Sequence, residues 1–190
     1  MTTINIDCPS RVAQGQQFKA TIAVDSITNF DAANYDVDFD PAVFQVVDVS
    51  DGLIGSTAVP VDMWRDLGSG KLRIINNVPG LPGLSGTGYL AAITFNAIAF
   101  KKTTAINLSN GVLSDNQANE IEATWSGKDL AIFVAGDVDG DGSVDLSDIA
   151  ALEKMIVELE PATSDGDVNT DGDINCLDIT SIKQIIAGKG

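Results

Sequence analysis

Asp137-Val138-Asp139-Gly140-Asp141-Gly142-Ser143-Val144-Asp145-Leu146-Ser147-Asp148 decides how the end of the chain is read. The same order returns thirty residues later as Asp167-Val168-Asn169-Thr170-Asp171-Gly172-Asp173-Ile174-Asn175-Cys176-Leu177-Asp178. Each copy puts side-chain oxygens at loop positions 1, 3, 5, 9 and 12, a glycine at 6 and a β-branched residue at 8. That is the order of a twelve-residue calcium loop, in which a hard cation collects several oxygens and the glycine takes the sharp turn. Candidate ligands are therefore Asp137, Asp139, Asp141, Asp145 and Asp148, then Asp167, Asn169, Asp171, Asn175 and Asp178. Ser143 and Asp173 at position 7 need offer only a carbonyl. Two ions of Ca2+ are expected. A solvated acidic linker is the competing reading of such a run, and two copies in register weigh against it.

Position 12 is Asp rather than Glu, and Asp129-Leu-Ala-Ile-Phe-Val134 before the first loop is a short apolar β-type run. Each loop therefore leads into a helix with no helix before it. Ile149, Leu152, Met155 and Ile156 fall on one helical face, as do Ile179, Ile182, Ile185 and Ile186 thirty residues on. Neither helix can bury that face alone, so the two should pack together, with calcium binding the ordered form.

Residues 136–190 resemble a type I dockerin in this duplicated loop-helix pattern, with repeats at 137–158 and 167–188. The resemblance implies a calcium-dependent adaptor that docks on a cohesin, reading its partner through loop positions 10 and 11 and the helix after them. The matching residues are Leu146, Ser147 and Lys154 in copy one and Cys176, Leu177, Lys183 and Gln184 in copy two. They depart from the Ser-Thr pair common in cellulosomal enzymes, and the copies differ, so one docking orientation is expected to be preferred.

The 190 residues, 44% of them apolar, suffice for one or two domains with a real core. The formal charge is −16, and its distribution is uneven: residues 136–190 carry 13 acids against 3 bases, residues 1–135 carry 14 against 8. Nucleic acid and anionic membranes are poor partners for that surface. Histidine is absent, which removes His-dependent triads and His-ligated metal sites. Cys8 and Cys176 lie in different segments and read as free thiols. No apolar stretch is long enough to span a bilayer. Met1-Thr-Thr-Ile does not open a signal peptide, so the chain reads as a mature piece of a secreted, extracellular or cell-surface protein, a setting where calcium is abundant.

Upstream, short runs alternate polar and apolar residues: Ile4–Cys8, Phe18–Val24, Tyr35–Phe39, Val46–Val49, Lys71–Asn76, Tyr89–Ile98, Ala105–Leu108, Ile121–Trp125 and Asp129–Val134. Turn signals separate them at Asp51-Gly52, Gly68-Ser-Gly70 and Pro79-Gly-Leu-Pro-Gly83. About nine short strands without an intervening helix indicate a β-sandwich or barrel over residues 1–135. Tyr35-Asp-Val-Asp-Phe-Asp40-Pro41-Ala-Val-Phe44, Lys71-Leu-Arg-Ile74, Gly88-Tyr-Leu-Ala-Ala-Ile-Thr-Phe95 and Leu113-Ser-Asp115 are similar to strands and turns of a cohesin. This implies a nine-stranded jelly roll, an architecture shared with carbohydrate-binding modules. It also implies a docking face that includes the strand before the Asp-Pro turn, with Asn34, Asp36 and Asp38 on its polar side.

Two rival readings are weaker. A retaining glycosidase needs a carboxyl pair about 5–5.5 Å apart with one member raised in pKa by an apolar pocket, and nothing visible desolvates Asp36 or Asp38. A sugar platform would draw on Trp64, Trp125, Tyr35 and Tyr89, of which only Trp64, in the loop-like Val61–Arg65, reads as exposed. The sequence thus points to a non-catalytic extracellular assembly module. The alternative is a carbohydrate-binding module, with polysaccharide as ligand and a structural calcium cap. Only Ala135 and Gly136 separate the last strand residue, Val134, from the first ligand, at most about 10 Å. Pairing with cohesin- or dockerin-bearing partners is therefore expected in trans.

Overall fold

The computed structural model describes residues 1–80 and 82–188. Leu81, inside the expected Pro79–Gly83 turn, and residues 189–190 lie outside the described residues. The strands run β1 Thr2–Asp7, β2 Arg11–Ala13, β3 Gln17–Asp38, β4 Phe44–Ile54, β5 Thr57–Val59, β6 Val61–Gly68, β7 Lys71–Asn77, β8 Leu84–Ala97, β9 Lys101–Asp115, β10 Ala123–Ser126 and β11 Lys128–Phe133. Helices α1 Leu146–Ile156 and α2 Cys176–Ile186 follow, with a 3-10 turn at Ser164–Gly166 between them. The chain divides into two compact units, Met1–Ala131 and the remainder from Ile132.

In the first unit β3 is the strand shared by all the others that matter. Its first half pairs antiparallel with β8 from Gln17↔Asn96 to Phe30↔Leu84, and its second half pairs with β7 on one side and β9 on the other. β4 extends the sheet beyond β8, β6 extends it beyond β7, and β1 joins β3 to β10. The result is one hydrogen-bonded sheet curled on itself. Inward residues fill it: Ile4, Ala20, Ile22, Phe30, Tyr35, Val37, Leu72, Ile74, Leu90, Ile93, Phe95 and Ile106 have no exposed surface. Phe18, Phe44 and Phe95 form an aromatic knot with ring centroids 5.6–5.7 Å apart. Each buried side chain of this size contributes about 1.5–3 kcal/mol.

Two departures from the sequence pattern have clear causes. The runs at 18–24 and 35–39 are one strand of 22 residues, because bulges opposite β8 near Ala23, Ile27 and Phe30 absorb the breaks in alternation. Val61–Arg65 is not a loop: it belongs to β6, a sheet-edge strand with seven exposed residues and none fully buried, so no inward face marks it in the sequence.

In the second unit α1 and α2 share a small core of Val138, Ile149, Leu152, Met155 and Ile182, with Val144, Val168, Ile174 and Ile179 packed against it. The expected faces hold except at Ile186, which is 43% exposed at the end of α2.

Candidate metal loops and docking face

The two loops repeat one hydrogen-bond network thirty residues apart. Asp137 accepts from the amides of Asp141 (3.0 Å) and Gly142 (2.9 Å), and Asp167 from those of Asp171 and Gly172 (3.1 Å each). Asp139 and Asn169 accept from the same Asp141 and Asp171 amides, and Asp141 and Asp171 accept from Ser143 and Asp173. Position 12 closes each loop. Asp148 Oδ1 accepts from Val138 and Asp139 while its Oδ2 accepts from Asp145, and Asp178 repeats this with Val168, Asn169 and Asn175. Asp145 and Asn175 are also the N-caps of α1 and α2, each completing a capping box with that position-12 Asp. Gly142 and Gly172 sit at φ 97° and 94°, where a side chain would be strained.

One carboxylate oxygen each of Asp137, Asp139 and Asp141 lie within 4.8 Å of one another. Asp137 is 5% exposed, and burial pushes its carboxyl up against the loop amides that hold it down. The Asp148 charge adds to the rise. Among the described residues no Lys or Arg pairs with Asp137, Asp139, Asp141 or Asp148. One buried and two exposed carboxylates converging without a cationic side chain are a donor set that a hard divalent ion satisfies, so the residues present fit calcium. In the second copy the Asn169 amide donates to Asp171 at 2.8 Å, which lowers the crowding of charge there.

The expected partner-reading residues stand on the surface of this unit. Leu146 and Leu177 are 74% and 56% exposed, and Ser147, Cys176, Lys183 and Gln184 are exposed too. Lys154 is exposed but held by Glu160 at 3.0 Å. Cys8 is buried and Cys176 exposed, both as free thiols.

On the first unit, the polar side of β3 is not the uniformly wet face that alternation suggests. Asp36 is buried: Arg73 Nε and Nη2 donate to its two oxygens at 2.7 and 2.9 Å, and Asn110 Nδ2 donates at 2.7 Å. The Arg73 bond holds the Asp36 carboxyl below its ordinary range, with burial opposing and Asn110 assisting. That is the reverse of what a general acid requires. Asp38 is engaged by Lys71 and Ser109, and Asn34 Nδ2 reaches the Asn110 carbonyl at 3.4 Å. Both acids are thus spent on neighbours within the sheet. Beside them lies a groove of about 360 Å³ lined by Asn34, Asp62, Ile75, Val112 and Ser114. Ile75 and Val112 are 37% and 44% exposed, and Met63 beside Ile75 is 63% exposed.

Sequence reasoning missed Lys71, Arg73, Ser109, Asn110 and this apolar strip. Strand pairing brings them together: Asp36↔Arg73 and Asp38↔Lys71 are cross-strand partners. Asn110 reaches Asp36 from a bulge, where Asn110 and Gly111 together oppose Tyr35 and Asn110 takes φ 51°. The Asn110-Gly111 dipeptide was the available signal. Of the four candidate sugar rings, Tyr35 is fully buried, Tyr89 and Trp125 are half-buried, and only Trp64 is exposed. That makes no platform of rings.

A curled sheet whose surface acids Asp36 and Asp38 are paired within it, in one chain with twin acidic loop-helix repeats, defines a two-part assembly module. The chain belongs to the cohesin family: residues 2–130 match the cohesin domain, and residues 135–187 match the dockerin type I domain. Both are non-catalytic assembly modules, and a carbohydrate-binding module is not favoured. No curated protein matches the chain.

Solved structures similar to it include the cohesin module of a family 33 glycoside hydrolase from Clostridium perfringens, at 16% identity and TM-score 0.62, covering 69% of this chain and 96% of that one. A non-cellulosomal cohesin from Archaeoglobus fulgidus is 18% identical at TM-score 0.58, covering 73% and 95%. A type I cohesin–dockerin complex from Clostridium thermocellum is 13% identical at TM-score 0.58, covering 70% and 93%. These likenesses concern the fold. Among the described residues no helix is long and apolar enough to cross a membrane.

Proposed function

We propose that the chain is a calcium-dependent adaptor of extracellular or cell-surface assemblies, with module boundaries at 1–135 and 136–190. The dockerin module binds two Ca2+ ions. Asp137, Asp139, Asp141, Ser143, Asp145 and Asp148 hold the first, and Asp167, Asn169, Asp171, Asp173, Asn175 and Asp178 hold the second. It docks in trans on a cohesin through Leu146, Ser147, Lys154, Cys176, Leu177, Lys183 and Gln184. The cohesin module receives a dockerin on the face that carries Asn34, Asp36 and Asp38, with Asp36 setting the position of Arg73 rather than touching the partner.

The observation that carries this reading is the repeated loop network, in which the position-12 acid ties the start of the loop to the first turn of the helix. A cation bound by the loop thereby fixes the helix that presents the docking residues. Ordering is completed before the partner arrives, which lowers the entropic cost of association. Calorimetric titration of the full chain with calcium, then with isolated cohesins in calcium and in chelator, tests it. Uptake of two ions and chelator-sensitive cohesin binding are expected. No calcium uptake, or sugar binding that persists in chelator, overturns it.

A further inference from the structure

Resting on that reading, we propose that the partner of this chain is a second copy of itself, the dockerin unit of one molecule seating on the cohesin face of the next. The uncommitted groups on the two surfaces match. On the cohesin side Asp36 and Asp38 are consumed by Arg73, Asn110, Lys71 and Ser109. What remains open is the apolar strip of Met63, Ile75 and Val112, with Asp62 in the groove beside it. Asp62 lies in the bulge between Val61↔Asn76 and Met63↔Ile75, and Arg65 stands opposite Arg73 two residues further along β6. Neither the Asp62 carboxylate nor the Arg65 guanidinium makes an ion pair or hydrogen bond among the described residues.

On the dockerin side the open apolar groups are Leu146 and Leu177, at neighbouring loop positions of the two repeats. On the two helices the open charges are Glu153 on α1 and Lys183 on α2, which occupy equivalent places thirty residues apart and are exposed and unpaired among the described residues. The dockerin unit thus offers an exposed apolar pair, one acid and one base to an apolar strip with one base and one acid. Lys183 toward Asp62 and Glu153 toward Arg65 satisfies both charges in one orientation. Turning the unit about its internal repeat axis sets like charges against each other, which costs association. Because each molecule uses a different surface from its neighbour, every contact leaves one surface of each kind open, and association proceeds to chains, rings or reciprocally closed pairs.

The test is sedimentation velocity on the full chain over a range of concentrations, in calcium and in chelator, for wild type, D62K, K183E and the mixture of the two variants. The expected result is calcium-dependent growth beyond monomer in wild type. Each variant alone should lose roughly tenfold in association constant, and mixing D62K with K183E should recover it through the restored pair. A wild type that stays monomeric in calcium overturns the proposal, as does association that ignores both reversals. A monomer that takes up calcium and still binds isolated cohesins from other proteins leaves the adaptor reading standing while this one falls. Failure of calcium uptake removes the adaptor reading first.

Discussion

Arg73 lays its guanidinium along the edge of the Asp36 carboxylate, Nε to Oδ1 at 2.7 Å and Nη2 to Oδ2 at 2.9 Å, so that an acid with 1% of its side chain exposed lies under a base with 46% exposed. Two parallel N–H···O bonds fix the plane of both groups, and Lys cannot reproduce that fork. The pair is a rigid part of the sheet surface, and its removal should be felt in the fold before it is felt in binding.

Replacing Arg73 by Met leaves the Asp36 charge with Asn110 and a more distant Lys71 at 3.8 Å. The buried acid then loses two of its three side-chain hydrogen bonds, and a loss of stability is expected. Chemical denaturation should show it as a lower midpoint at unchanged slope. Asp36→Asn with Arg73→Met should lose less than the sum of the two single changes, because the second change removes the stranded partner.

The same pair sets an acid limit. Asp36 has its folded pKa lowered, chiefly by the Arg73 bond. The stability this adds is therefore complete above the unfolded carboxylate value of about 3.9 and is lost as pH falls through the lower folded value. Midpoints measured between about pH 5 and about pH 2 should fall in wild type. The part of that fall due to Asp36 should vanish in Asp36→Asn, and an unchanged profile would contradict the assignment.

Calcium removal should act on the helices as well as the loops. Asp148 and Asp178 hold their loops and cap their helices at once, so chelation should reduce the far-ultraviolet helical signal while leaving the β signal. Asp137→Ala should cut calcium uptake from two ions to one. Asn175→Ala removes the N-cap of α2 and should cost about 1 kcal/mol in chelator, where its part in holding the ion does not contribute, and more in calcium.

Gly111 is needed for the approach of Trp125, not for its own dihedral. A Cβ there would come within 2.2 Å of the indole ring, which tilts against Tyr35 at a centroid distance of 5.7 Å. Gly111→Ala should cost about 1–3 kcal/mol through overpacking and shift the emission of Trp125. A neutral result would mean that the ring moves aside freely.

What could be read from the chain divides by distance along it. The loops, their glycines, their caps and the helices after them are local, each bond spanning ten residues or fewer, and the thirty-residue repeat states them twice. The inward residues of β3 and β7 were legible from alternation. Arg73 over Asp36 was not, because the pair is 37 residues apart and depends on register. The strand β6 was invisible for a different reason: it lies at the edge with no fully buried residue, so the sequence has no period to show. Asn34, Asp36 and Asp38 were correctly placed on one strand, but alternation alone could not tell that the middle acid would be roofed over.

The strand β1 lies parallel to β10, joining Thr2 to Ala123, and hydrogen bonds elsewhere in that unit bridge 84 and 87 residues. The opening strand thus finds β3 nearby in the chain but can complete its pairing only when nearly the whole first unit is present, whereas the terminal loops close over ten residues. High contact order slows folding, so after dilution from denaturant the helical signal of the tail should return ahead of the β signal of the first unit. During synthesis the order is the reverse, because the first unit leaves the ribosome ahead of the tail and can fold while the tail is still being made.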